Sequence, residues 1–327
     1  MGNNVFRALR RRILTPDESE TSLDKRGFHY KNDAAKYLLE NVGKVFLAGY
    51  GDAVETRSVA ELEERLDHIP VQFRGFAYEG AAMGLAMLDG LPFGGRGRVD
   101  DLLAGPGDRH VYMVYVGVGW AMARLPRFRW PAASTLDPLL RWLVLDGYGF
   151  HQAYFHTRRY VGQHYQDPHF AWPADGTRAY ANRAIDQGIG RALWFIGGTE
   201  PRRVVAMLER YPEHRWSDLY AGVGLAATYA GGIDIDELQT LRELAGPYRP
   251  VLAQGSAFAA EARVRAGLVV PHTEAATVVF CGATPQRAAR ITQEVRPADP
   301  VDGPVPAYES WRRRIAGEFV TLGGVRA

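Results

Sequence analysis

Small and apolar residues recur along this chain at a long, nearly constant interval. A small residue is followed four positions later by another and, nine to twelve later, usually by a glycine. The copies start at Gly80, Gly117, Ala153, Gly188, Gly222 and Gly255, spaced 33 to 37 residues apart, with a weaker one at Gly43. Small residues at i and i+4 share one helix face and let two backbones approach closely. The trailing glycines Gly90, Gly162, Gly197, Gly231 and Gly267 suit left-handed helix C-termini.

A second set of segments lies between these copies: SVAELEERLDHIP, RVDDLLAG, LDPLLRWLVLDG, PRRVVAMLERYP and IDELQTLRELAG. Each opens with capping or first-turn chemistry at Ser58, Asp100, Asp137, Pro201, or Asp234 and Asp236. Each then carries apolar residues at helical spacing, such as Leu62, Leu66 and Ile69. Two helices per period predict an all-α fold of stacked helical-hairpin (α/α) repeats forming a curved superhelix. No alternating run is strong enough to demand a sheet. The expected organisation is a basic N-terminal helix or arm over 1–30, a repeat domain over 31–296 and a Pro-rich tail with a final basic helix over 297–327. An aromatic, His-rich insertion at 163–183 interrupts the repeat domain, and such insertions gather on one rim, often the binding rim.

Composition removes several classes of function. The 327 residues carry a formal net charge of +2, which gives no electrostatic reason to expect nucleic acid as a partner. The single cysteine, Cys281, excludes an internal disulfide framework and a Cys-rich metal site and fits a reducing cytoplasm. No stretch reaches the roughly 20 apolar residues of a membrane span. Phe6, Leu9 and Ile13 share one face of the basic N-terminal helix, which suits packing on its own domain or, less readily, a membrane surface.

The Gly-x-Gly pairs at Gly117, Gly188 and Gly222 lie inside recurring helices, so they are not dinucleotide loops, which need a preceding strand. The residue before each anchor and the one four beyond share a helix stripe. The stripe reads Glu79 with Met83, Val116 with Trp120, Gln152 with His156 and Arg159, Gln187 with Arg191, Ala221 with Leu225, and Gln254 with Phe258 and Glu261. If these helices line the inner face, the stripes converge on one sparsely polar, partly aromatic channel suited to a long apolar ligand. Glu79, Gln152, His156, Arg159, Gln187, Arg191 and Glu261 are then candidates to orient substrate or move protons. Trp120, Trp194, Gln254 and Phe258 would contact substrate, together with Tyr78, Tyr115, His151 and Tyr220 from the column two residues before the anchors. The same residues would equally serve as packing between hairpins. His151, His156, His164 and His169 match no metal-ligand spacing, and no metal is expected. Asp234-Ile-Asp236-Glu237 resembles the acid motif of class II terpene cyclases with Glu in the final place, yet acids at a helix start are ordinary.

Five segments carry a wider likeness: RGFHYKNDAAKYLLENVGKVFLAGY, RGFAYEGAAMGLAMLD, DGYGFHQAYFHTRRYVG, DQGIGRALWFIGG and GVGLAATYAGG. Through them, from about Phe6 to about Val320, the chain resembles a family of unknown function encoded beside the polyketide synthase in enediyne antibiotic gene clusters. The resemblance implies a bacterial, cytoplasmic protein acting where a linear polyene becomes the enediyne core, and it carries over no catalytic residue or cofactor. Two expectations follow. One is a protein that binds an apolar polyene-type intermediate in its channel and acts on it. The other is a non-catalytic scaffold or carrier linking polyketide synthase and tailoring enzymes, with the N-terminal helix and Arg312-Arg313-Arg314 meeting an acidic carrier domain.

Overall fold

The computed structural model describes residues 2–92, 97–173 and 178–321, and among them there is no strand. The helices are α1 (Gly2–Leu14), α2 (Leu23–Arg26), α3 (Asp33–Glu55), α4 (Val59–Asp67), α5 (Val71–Asp89) and α6 (Arg98–Leu103). They continue with α7 (Val111–Met122), α8 (Trp142–Phe155), α9 (Ala181–Ile196), α10 (Pro201–Leu208) and α11 (Trp216–Ala230). The last are α12 (Ile235–Leu244), α13 (Arg249–Arg265), α14 (Pro271–Cys281), α15 (Pro285–Glu294) and α16 (Ala307–Thr321). The fold is therefore all-α. The long helices α3, α5, α7, α8, α9, α11 and α13 pack each on the next, and α10, α12 and α14 pack on one another as a second row.

Glycine makes the long row possible. In α7, α8, α9 and α11 the repeat is a Gly-x-Gly pair whose members face opposite neighbours. A Cβ at Gly117 would lie 2.2 Å from the Glu79 carbonyl oxygen on α5, and one at Gly119 would lie 2.0 Å from that of Val144 on α8. Gly147 and Gly149 meet Val116 and Ile185 in the same way, Gly188 and Gly190 meet Asp146 and Leu219, and Gly222 and Gly224 meet Gln187 and Leu252. Two residues along a helix turn it by about 200°, so one pair seats a helix between two others at backbone contact.

This register corrects the third copy of the repeat. The anchor is Gly147, not Ala153, and LDPLLRWLVLDG is no separate outer helix, because its Trp142 already begins α8. Of the trailing glycines, Gly231 and Gly267 have positive φ, whereas Gly90 and Gly197 cap their helices with negative φ and Gly162 closes a π-helical turn, Arg158–Gly162.

The row bends back on itself, so that α13 reaches α5. Arg263 on α13 donates to the carbonyls of Val71 (3.3 Å) and Gln72 (3.0 Å) at the start of α5, as well as to Tyr229 and Leu268. Phe76 and Tyr229 stack edge to face across the same seam at 5.1 Å. Near the start of α3, His29 pairs with Glu200 and Lys31 with Glu237.

Helix α1 lies on α3, where Arg11 bridges Asp52 (2.8 Å) and Glu55 (2.7 Å). Leu9 and Ile13 stay exposed, and the Phe6 side chain lies outside the described residues. The tail helix corrects a second expectation. Arg312 does not face outward toward a partner; it is buried in its own chain, whereas Arg313, which pairs with Glu309, and Arg314 are exposed. Asp234 and Glu237 form a capping box on α12, the ordinary role for acids there.

Candidate functional site

Helices α3, α5, α7, α8 and α9 surround a cavity of about 460 Å³. Its walls are mainly aromatic and apolar: Phe46, Met83, Trp120, Phe150, Phe155 and Phe195. Exposed Arg124 and His156 stand at its mouth. A second cavity of about 50 Å³ lies beyond Phe76, Arg191 and Phe195, which line both, and is bounded by Tyr229, Tyr308 and Trp311. The two together run through the middle of the bent row.

Where they meet, three charged side chains are buried. Glu79 is 2% exposed, Asp146 3% and Arg191 6%. Arg191 pairs with Asp146 through Nη1, and its Nη2 lies 3.6 Å from Glu79 Oε1. Trp120 Nε1 donates to the same Glu79 oxygen at 2.9 Å. Each residue sits next to, or four positions from, a residue of a glycine crossing, so the contact that joins the helices also turns these side chains inward. Burial pushes the Glu79 carboxyl up, Arg191 pulls it down, Asp146 adds to the rise, and the balance is about 7. A carboxyl at that value is present in both forms near neutral pH and can give or take a proton. Trp120 and Arg191 hold its ionised form. On the wall, burial lowers His151 to about 3, so its imidazole is neutral, and its Nδ1 has no partner among the described residues.

The charge at Glu79 predicts a pH dependence. An acid whose folded value exceeds its unfolded value of about 4.5 takes up a proton on folding. Its contribution to stability therefore falls as pH rises from about 4.5 to about 7 and is flat outside that window. Buried His110, His151 and His272, all lowered, act with the opposite sign at overlapping pH. The difference between wild type and Glu79→Gln cancels those terms. Urea unfolding between about pH 5 and pH 8 will show wild type losing about 3 kcal/mol relative to the variant as pH rises. A constant difference would place the Glu79 carboxyl at an ordinary value.

The candidates from the stripe divide into groups. Glu79, Met83, Trp120 and Arg191 meet at the large cavity, and Val116, Leu225 and Phe258 line the small one. His151 is on the wall and His156 at the mouth. Gln152 and Arg159 lie outside, in a polar groove beside that mouth. Gln187 and Gln254 point to α16: Arg312 donates to Gln254 Oε1 at 3.1 Å, and Tyr308 donates to Gln187 at 3.2 Å. Glu261 accepts from Tyr112 (3.2 Å) and Gln293 (2.7 Å) at the seam. Four of the proposed substrate contacts are occupied in packing. Tyr78 stacks on His110 at 3.7 Å, the Tyr115 hydroxyl accepts from the Asp137 amide, Trp194 donates to the Gly231 carbonyl, and Tyr220 stacks on Tyr248 at 5.1 Å.

Asp146 and Phe150 are the residues the sequence reading missed. The Gly-x-Gly of Gly147 and Gly149 would have found them, since Asp146 then takes the place of Glu79 and Phe150 that of Met83. Among the described residues no group of three His, Cys, Asp or Glu side chains could hold a metal ion, and no helix is long and apolar enough to cross a membrane.

These features define an all-helical repeat protein whose long helices surround an aromatic cavity with an ionisable floor. The chain belongs to the family described as protein of unknown function, DUF1702, whose model matches residues 5–319. No curated protein and no solved structure matches it.

Proposed function

We propose that this protein binds an elongated apolar small molecule in the 460 Å³ cavity and that Glu79 exchanges a proton with it. The observation that carries the reading is the Glu79 carboxyl, buried beside Arg191 and held near neutrality on the floor of a mainly aromatic and apolar chamber. Aromatic walls favour a flat conjugated chain, and a low-dielectric chamber makes each charge on its floor count more than in water. Glu79 would act as the acid or base, with Arg191 and Trp120 stabilising its anion and His151 offering a neutral nitrogen to the ligand. Taken with the sequence likeness, the ligand class is a polyketide-derived linear polyene on its way to an enediyne core in the bacterial cytoplasm. The second reading, a carrier that shields such a chain without changing it, draws on the same cavity and on the absence of a recognised catalytic motif.

Genetic complementation separates the two. A producing strain lacking this gene is complemented with wild type, Glu79→Gln or Met83→Trp, and its products are read by mass spectrometry. Glu79→Gln keeps the cavity shape, whereas the larger side chain of Met83→Trp narrows the cavity. The proposal expects both variants to accumulate the intermediate that the deletion accumulates, with product down at least about 100-fold, the scale of one acid–base group. Full product from Glu79→Gln and none from Met83→Trp selects the carrier. Unchanged product in the deletion strain removes the pathway assignment.

A further inference from the structure

Beside the mouth of the cavity lies a separate groove of about 870 Å³. The two spaces share Tyr154, Phe155 and His156, so the groove begins where the apolar chamber ends. Their linings differ. The groove carries Lys25, Arg26, Arg127, Arg158 and Arg159, and Arg124 stands across the shared rim. Facing them are two carboxylates. Glu20 takes both Lys25 and Arg26, and Asp167 lies 3.4 Å from Arg127. Among the described residues no acid pairs with Arg124, Arg158 or Arg159. Arg159 sits over the Tyr165 ring with its Cζ 3.7 Å from the centroid, a contact that does not neutralise its charge. The π-helical turn Arg158–Gly162 sets Arg158 and Arg159 side by side at the end of α8, a kind of turn that clusters at functional sites. The lining also holds amide side chains from Gln152, Gln163, Gln166 and Asn182, of which Gln166 donates to Asp186 and Asn182 to the Asp167 carbonyl.

From this juxtaposition we infer that the ligand is amphipathic: an apolar chain in the aromatic cavity, continued by a polar anionic arm in the basic groove. The chain crosses the rim at Phe155, and the anion ends at Arg158 and Arg159. The groove is larger than a carboxylate needs, and its amides suit an arm with amide groups of its own. The shared chemistry is an anion on an apolar chain, supplied either by a free carboxylic acid or by the phosphate of a phosphopantetheine thioester. This inference rests on the proposed apolar ligand, because the arm is placed by where that chain leaves the cavity.

Three probes of one chain length test it, read by tryptophan fluorescence of the full chain: a conjugated tetraene fatty acid, its methyl ester, and its phosphopantetheine thioester. At least one of the two charged probes will bind about tenfold or more tightly than the ester at low salt. The exposed pair R158E/R159E will bring that probe down to the ester's affinity and leave the ester within about twofold. Tight binding of the thioester alone assigns the arm to a phosphate-bearing carrier, and of the acid alone to a free acid. Equal binding of all three probes, unmoved by R158E/R159E, overturns the anion site and leaves the apolar cavity standing. No binding by any probe overturns both readings.

Discussion

Gly188→Ala will destabilise this protein by about 3 kcal/mol or more, although it adds a single methyl group to a helix. Alanine is the better helix former, so on local grounds the change should help by about 1 kcal/mol. The crossing of α8 and α9 decides otherwise. The new Cβ would sit 1.8 Å from the Asp146 carbonyl oxygen and 2.7 Å from the Phe150 amide nitrogen. Both are backbone atoms, and no side-chain rotation relieves the overlap. The helices must separate, and with them Asp146 and Arg191, whose pairing spans this contact. Gly317→Ala on α16 is the control, since nothing lies within 4 Å of its Cβ position and its backbone is helical. It should be neutral or stabilise by up to about 1 kcal/mol. Urea unfolding of the two variants and wild type provides the comparison, and equal stabilities would mean the helix row is looser than described.

The second large effect is expected at Arg312. Its Nη1 donates to Asp218 (2.7 Å), Glu309 (2.9 Å) and the Tyr180 hydroxyl (3.0 Å), and its Nε donates to Gln254. All of these groups are buried. Arg312→Met keeps most of the side-chain bulk and removes the charge, which leaves two carboxylates under-compensated away from water. Arg183 still pairs with both, at 2.7 and 2.9 Å, so the loss should fall at about 3 kcal/mol, the lower end for a broken buried pair. Arg314→Met, exposed on the same helix, should change stability by less than about 0.5 kcal/mol. Differential scanning calorimetry of the pair measures the contrast. Equal melting temperatures would mean that α16 is held by Trp311, Ile315 and Phe319 alone.

The all-α class was legible because both of its signals are local. Helical spacing of apolar residues needs only a few turns of chain, and glycine at a crossing is dictated by backbone distance. The inward direction of Glu79, Trp120 and Arg191 was legible for the same reason, since their offset from the crossing fixes their azimuth. The register failed at α8 because equal spacing was assumed. Gly147 lies thirty residues after Gly117 and forty-one before Gly188, with the long 163–183 segment lengthening the second interval. That shift hid Asp146 and promoted Gln152, which faces the groove. Gln187 and Gln254 had the right azimuth but are satisfied by α16, and no property of a repeat says where a later helix will lie. The packing roles of Tyr78, Tyr115, Trp194 and Tyr220 depend on partners between 22 and 37 residues away, through contacts that the repeat pattern does not encode.

The seam between α13 and α5 has a consequence for synthesis. Arg263 reaches carbonyls 191 and 192 residues earlier in the chain. On a ribosome adding roughly 5–20 residues per second, the start of α5 waits on the order of ten to forty seconds for that partner. An open solenoid can finish each hairpin as it emerges. A row that bends back on itself cannot, so the aromatic interior stays exposed until the last third of the chain arrives. Nascent chains arrested before Arg263 are therefore the form of this protein most exposed to aggregation and most dependent on chaperones.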